Sequence, residues 1–228
     1  MDGLGYASNR KPFRELADRV PVALLMDLRG EPASTRLMAI TAMLLRGAGL
    51  LAWAEPPAEA LLRHLPRTRG MASDSWNMFR VRPANHPARR VIGAAHLVDR
   101  YVESGRVRGL EGELRGGKAR RLVQALAVRP FIGRDRACDL AVNAVLPLMY
   151  ALAGMRRDAA LGRLCLDLYR AFTRPADNEV TREMRRLLSS GGARVQITGA
   201  RRHQGLMHLY RVVTARTEAG DPIAPGTL

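Results

Sequence analysis

Between positions 80 and 90 the chain reads Arg80-Val81-Arg82-Pro83-Ala84-Asn85-His86-Pro87-Ala88-Arg89-Arg90, with four guanidinium groups and two prolines in eleven residues. Guanidinium forks match phosphate and carboxylate oxygens two at a time. Pro87 suits the first position of a helix, with Asn85 or His86 as its cap. A helix N-terminus offers N–H groups and a positive dipole end to an anion, and Arg80, Arg82, Arg89 and Arg90 would flank that end. Downstream, Arg106, Arg108, Arg115, Lys118, Arg120 and Arg121 extend the positive run. Together these ten cations have the chemistry to track a nucleic-acid backbone. Two plainer readings stand beside this one. Arg82 is as well placed to be buried, holding its loop through backbone carbonyls, and the 106–121 run can be a solvated face without a partner. No aromatic platform accompanies the arginines, which argues against sequence-reading single-strand binding.

Bond-making templates are missing. There is no Gly-rich phosphate loop followed by Lys and Ser/Thr, no Gly-x-Ser-x-Gly elbow and no His-Glu-x-x-His. His203 and His208 are five apart, on different faces of a helix. Asp135 and Asp139 share a helix face, but with Arg134 and Arg136 beside them they read as ion-pair partners. A second arginine group comprises Arg182, Arg185, Arg186, Arg194, Arg201 and Arg202.

The balance of charge agrees with an anionic partner. The chain carries 37 basic and 21 acidic residues for a net +16 over 228 residues, and such a field steers polyanions. Only Lys11 and Lys118 are lysines; a GC-rich coding bias accounts for that preference. The excess is uneven, with more than half of it between residues 80 and 136. Cys138 and Cys165 lie in apolar helical patterns without zinc spacing, so buried free thiols in a reducing cytoplasm are expected. The start of the chain has neither the basic opening nor the apolar run of a signal peptide.

The elements that must position these groups are helices. Aromatics are 5% against 47% hydrophobic residues, a Leu/Ala/Arg palette that favours helix over sheet. Phe13, Leu16 and Val20 form a stripe after Asn9, a plausible cap with Pro12 in the first turn. Leu37, Thr41, Leu44 and Leu45 face inward from the next long helix. Residues 65–86 are the longest break, with Trp76, Met78 and Phe79 pinning it to the body. Val91, Ala95, Val98 and Val102 give a buried stripe after Pro87. Leu161, Leu164, Cys165, Leu168 and Phe172 give another, and Asp177 caps a helix that follows. Residues 137–155 are almost wholly apolar, but contain Asp139, Asn143 and Pro147. A carboxylate in a membrane span costs about 2.5–3.5 kcal/mol on insertion scales, so this segment reads as a buried helix. Pro147 cannot donate to the Asn143 carbonyl and should kink it, with Asn143 bonding a neighbouring loop.

Three stretches together resemble an uncharacterised bacterial family, domain of unknown function 2851. Gly3–Phe13 with Leu16-Ala17 is similar to its LGY-x-x-N-x-x-PF-x-x-LA stretch, and Arg82–Arg90 to its RPAN-x-P-x-x-R. Asn143–Leu148 and Gln204-Gly205-Leu206 resemble its N-x-x-LPL and QGL. The resemblance implies a helical C-terminal half. Longer members carry an N-terminal GDVE-x-H-like, nuclease-type signature that is absent here, and many end in a cysteine-rich tail. A free-standing helical half working with a separate partner chain is therefore implied, with no substrate attached.

The expectation is an all-α, single multi-helix globular domain over 1–216, with a possible sub-boundary at 65–86, around a buried central helix at about 134–154. A mobile tail at 217–228 follows. The expected function is non-catalytic binding of nucleic-acid phosphate backbone, DNA or RNA, without cofactor, metal or membrane. The alternative is a scaffold subunit that pairs with an acidic or nuclease-like protein. Asn85, Pro87, Asn143 and Pro147 are the expected structural positions.

Overall fold

Helix-forming residues at apolar spacings of three and four make the body, and the described residues contain no strand, only the isolated bridges Val128–Ile132 and Thr173–Gly199. The structure is a computed structural model that describes residues 4, 9–55, 60–79, 81–173, 179–190 and 196–218. These fall into two compact units, 1–116 with 120–145, and 117–119 with 146–228. The all-α expectation holds. The 65–86 break lies inside the first unit.

In the first unit, α1 (Arg10–Arg19), α2 (Val22–Met26) and α3 (Ala33–Gly47) precede the long break. Helices α4 (Pro87–Val102), α5 (Arg106–Arg115), α6 (Ala119–Leu126) and α7 (Arg134–Leu140) follow it. The α3–α4 pair is the spine, with α1 on α3 and both α2 and α5 on α4. Phe13, Leu16, Ile40, Met43, Leu44, Leu45 and Val91 are sealed from solvent. Withdrawing one such side chain from water stabilises the fold by about 1.5–3 kcal/mol. The α1 stripe Phe13, Leu16 and Val20 is buried, as is the α4 stripe Val91, Ala95, Val98 and Val102. On α3, Leu44 and Leu45 are buried, but Leu37 and Thr41 are half-buried, and Ala39, Ile40 and Met43 take the inner face.

Two expectations about the long break are corrected. Asn9 makes no side-chain cap on α1. Its amide instead pairs with the main chain of Asn77, Nδ2 donating to the carbonyl at 3.0 Å and Oδ1 accepting the N–H at 2.8 Å. Of the three large apolar residues, Trp76 is the buried one. Its ring packs edge-on against Phe13 at 5.0 Å, and its Nε1–H donates to Ala48 O at 2.7 Å. Met78 and Phe79 are exposed. The returning backbone lies so close to α3 that a Cβ on Gly49, whose φ is +66°, would run into the Met71 carbonyl. Only glycine meets both demands there.

The second unit holds α8 (Leu146–Arg156), α9 (Ala159–Ala171), α10 (Glu179–Ser189) and α11 (Ala200–Glu218). Asp158 caps α9, its Oδ1 accepting from Leu161 N at 2.9 Å. The expected α9 stripe is buried except for half-buried Leu164. Asp177 and residues 219–228 of the expected tail lie outside the described residues; residues 217 and 218 are the end of α11.

The apolar helix expected at 134–154 runs as Arg134–Arg156 and is long and apolar enough to cross a membrane by length and composition. Only 33% of its most apolar window is buried, with Leu148, Tyr150 and Met155 exposed, so it is largely open rather than a buried core. Ahead of Pro147 the helix widens into a π turn at Ala141–Val145, the usual way a helix absorbs an interrupted hydrogen-bond ladder. Asn143 bonds back into its own helix. Its Nδ2 donates to Asp139 O, one turn back, at 3.0 Å.

Candidate nucleic-acid interface

The Arg82–Arg90 segment is built from the turn outward. Pro83–Asn85 is a short 3-10 turn, closed by Asn85 N to Arg82 O at 2.8 Å and His86 N to Pro83 O at 3.2 Å. His86 then caps α4, its Nδ1 accepting from Ala88 N at 3.2 Å, with Pro87 at the first helical position. Burial pushes the His86 pKa down, which favours the neutral imidazole whose Nδ1 can accept. This cap closes the anion site offered by sequence. Pro87 has no N–H, Ala88's N–H is taken, and both residues are buried.

The arginines of the segment separate. Arg90 is buried, and its Nη2 donates to Asn85 Oδ1 at 2.6 Å and its Nη1 to Phe131 O at 3.2 Å. Arg89 donates to Pro130 O at 3.2 Å and lies 5.4 Å from the Phe131 ring centroid. These two hold the 129–132 turn to α4, where Gly93 has no side chain because Ile132 and Phe131 fill the space. The loop-holding role foreseen for Arg82 therefore belongs to Arg90, and Arg82 is exposed. Arg80 lies outside the described residues.

The same inward use of arginine recurs through the first unit. Arg46 donates to the carbonyls of Leu62 and Pro66 and to Thr68 Oγ1, and burial lowers its pKa. Arg19 donates to Arg69 O and Gly70 O, Arg29 to Val102 O, and Arg100 to Ala125 O. Arg36, buried, bonds Asp99 and Glu103 at 2.6 Å each and Glu31 O at 3.1 Å. The hydrogen bond to Asp99, with the charges of Asp99 and Glu103, pushes its pKa up against desolvation. A strandless fold leaves loop carbonyls without ladder partners, and guanidinium groups supply the donors.

Farther along, Arg115 pairs with Glu111 at 2.5 Å and Arg121 with Glu113 at 2.9 Å. Arg106, Arg108 and Arg120 are exposed, and like Arg82 they have no carboxylate or carbonyl partner among the described residues. Lys118 is exposed on the second unit. Every acid between 81 and 133 is engaged: Asp99 and Glu103 by Arg36, Glu111 by Arg115, Glu113 by Arg121.

The expectation of no aromatic beside the arginines is also corrected. Trp53, 33 residues before His86 in sequence, stacks on it with ring centroids 4.2 Å apart and 30° between planes. Trp53 is 50% exposed and Phe79 is 76% exposed. Only folding brings an aromatic so far upstream to the Arg82 turn.

The remaining candidates are quieter. Asp139 pairs with Arg136 at 3.5 Å, and Asp135 is exposed. Among the described residues no three His, Cys, Asp or Glu side chains gather as a metal site would need. His203 is buried and His208 exposed on α11. Cys138 and Cys165 are free thiols whose pKa values burial pushes up. In the second arginine group, Arg186 pairs with Glu183 and Arg202 donates to Gln196 O. Arg182 and Arg201 are exposed, Arg185 is half-buried, and Arg194 lies outside the described residues.

No curated protein and no solved structure matches this chain. The Asn143–Leu148 and Gln204–Leu206 stretches lie beyond the part that a family model covers. Residues 1–108, which hold the Asn9 pairing, the Trp76 anchor and the Arg82–Arg90 turn, match the family model described as protein of unknown function (DUF2851).

Proposed function

We propose that this protein is a non-catalytic module that binds the phosphate backbone of nucleic acid through the outward cations of its first unit, Arg82, Arg106, Arg108 and Arg120. One observation carries the reading. All four acids between residues 81 and 133 are spent on other arginines, so these exposed cations meet solvent with no carboxylate of their own stretch to neutralise them. Arg115 and Arg121 add charge that Glu111 and Glu113 already offset. Two free thiols, Cys165 buried and Cys138 half-buried, suit a cytoplasmic setting.

The test is a titration of labelled duplex DNA, single-stranded DNA and RNA at two salt concentrations. Four neutralised phosphates give a log–log slope of about −3.6 on duplex DNA, roughly a hundred-fold loss for four-fold more salt. Absence of binding at low salt defeats the proposal. A second reading has its own observation. Leu148, Ala151 and Met155, at spacings of three and four, are all exposed along one face of α8, a pattern that suits a partner helix. That reading makes the chain a subunit of a complex, and it expects a stoichiometric protein partner with poor binding to generic nucleic acid.

A further inference from the structure

We infer that Trp53, backed by His86, is a stacking platform for an unpaired nucleobase, so that the nucleic acid bound here is single-stranded. The inference rests on the phosphate-binding reading and narrows its substrate. Trp53 ends the 3-10 turn Leu51–Trp53, which is tied down by Trp53 N to Leu50 O at 3.0 Å and Ala54 N to Leu51 O at 2.7 Å. His86, behind the indole, is fixed twice, by its backbone bond to Pro83 O and by its side-chain cap on Ala88. The indole is thus held at a set angle with half its surface open. The chain's other tryptophan, Trp76, has its N–H bonded to Ala48 O and is 3% exposed.

The surroundings suit a nucleotide rather than an apolar plug. Arg82 opens the Pro83–Asn85 turn that His86 closes. At about 2 Å of rise per 3-10 residue, that turn separates exposed Arg82 from His86 by a span that an extended arginine side chain can cover, which would let it meet the phosphate attached to a base on Trp53. Exposed Phe79 precedes Arg82 by three residues and offers a second ring for a neighbouring base. Duplex bases already stack on one another and present edges, whereas an unpaired base has a free π face for an indole.

Trp53 reports on its own occupancy, because a stacked base quenches indole emission while Trp76 stays shielded. The full-length protein is titrated with oligo(dT), oligo(U) and a duplex of matched length at low salt, following tryptophan emission and, separately, the anisotropy of labelled strands. The expected result is quenching by single strands that saturates with their anisotropy isotherm, and none by duplex; the DNA and RNA arms identify which backbone is preferred. W53A should weaken single-strand binding about ten-fold and leave duplex binding unchanged. W53F, which keeps a ring, should retain most of the affinity and lose the quenching. Single-strand binding with unchanged emission, or with full affinity in W53A, overturns the platform while leaving phosphate binding intact. Duplex-only binding does the same. If no strand of any kind binds, the phosphate reading falls with it.

Discussion

Arg82 and Arg90 share one short motif and do opposite work. Arg90 is buried between Asn85 and the Phe131 carbonyl, so R90A strands two acceptors. It should lower the unfolding free energy by about 1.5–3 kcal/mol, the range for hydrogen bonds to charged groups, measured by urea denaturation. Arg82 is exposed, so R82Q should shift stability by no more than about 0.5 kcal/mol while weakening nucleic-acid binding and lowering its salt slope by about one. The reverse pattern would mean that the two roles have been exchanged. Sequence placed both residues in the right segment but could not assign them. Burial of an arginine depends on which carbonyl comes to meet it, and Phe131 O is 41 residues away.

Elements were legible where apolar spacing fixes them. The α1 and α4 stripes and the His86–Pro87 start of α4 all follow from local chemistry. Contacts between distant segments were not. The Asn9–Asn77 pairing, the Arg36 bridge to α4 and the Trp53–His86 stack join residues with no sequence period in common, and the helix meets the Pro147 interruption with a π turn. Two predictions belong at this scale. Gly49 combines φ +66° with the adjacent Met71 carbonyl, so G49A should cost about 1–3 kcal/mol, seen as a lower urea midpoint. The His86 cap accepts through Nδ1 and needs a neutral ring. Burial lowers the pKa of both His86 and His96 from 6.5, so the unfolded chain binds their protons more readily. Stability from these groups is therefore complete above pH 6.5 and is lost as pH falls below it toward the folded-state values. H86N, which keeps a capping acceptor, should flatten part of that slope in urea midpoints taken between pH 7.5 and 5. An unchanged slope contradicts the cap's role.

For the whole molecule, the +16 charge is two populations rather than one coat. Arginines such as Arg36, Arg46, Arg90 and Arg100 satisfy internal oxygens where the described residues form no sheet to do so, which gives the Arg-over-Lys preference a physical use beyond coding bias. A lysine has three donors on one point and cannot span the separate carbonyls that Arg46 reaches. The outward population is what remains for a polyanion. The most direct test neutralises charge at two sets of exposed positions: Arg82, Arg106, Arg108 and Arg120 to glutamine in one variant, and Arg163, Arg182, Arg201 and Arg211 to glutamine in another. Each removes four positive charges from exposed sites. Single-strand affinity against salt should fall at least ten-fold, with a flatter slope, in the first variant, and change by less than about three-fold in the second. Equal losses in both would mean that binding follows total charge, and that Arg82, Arg106, Arg108 and Arg120 have no special part in it.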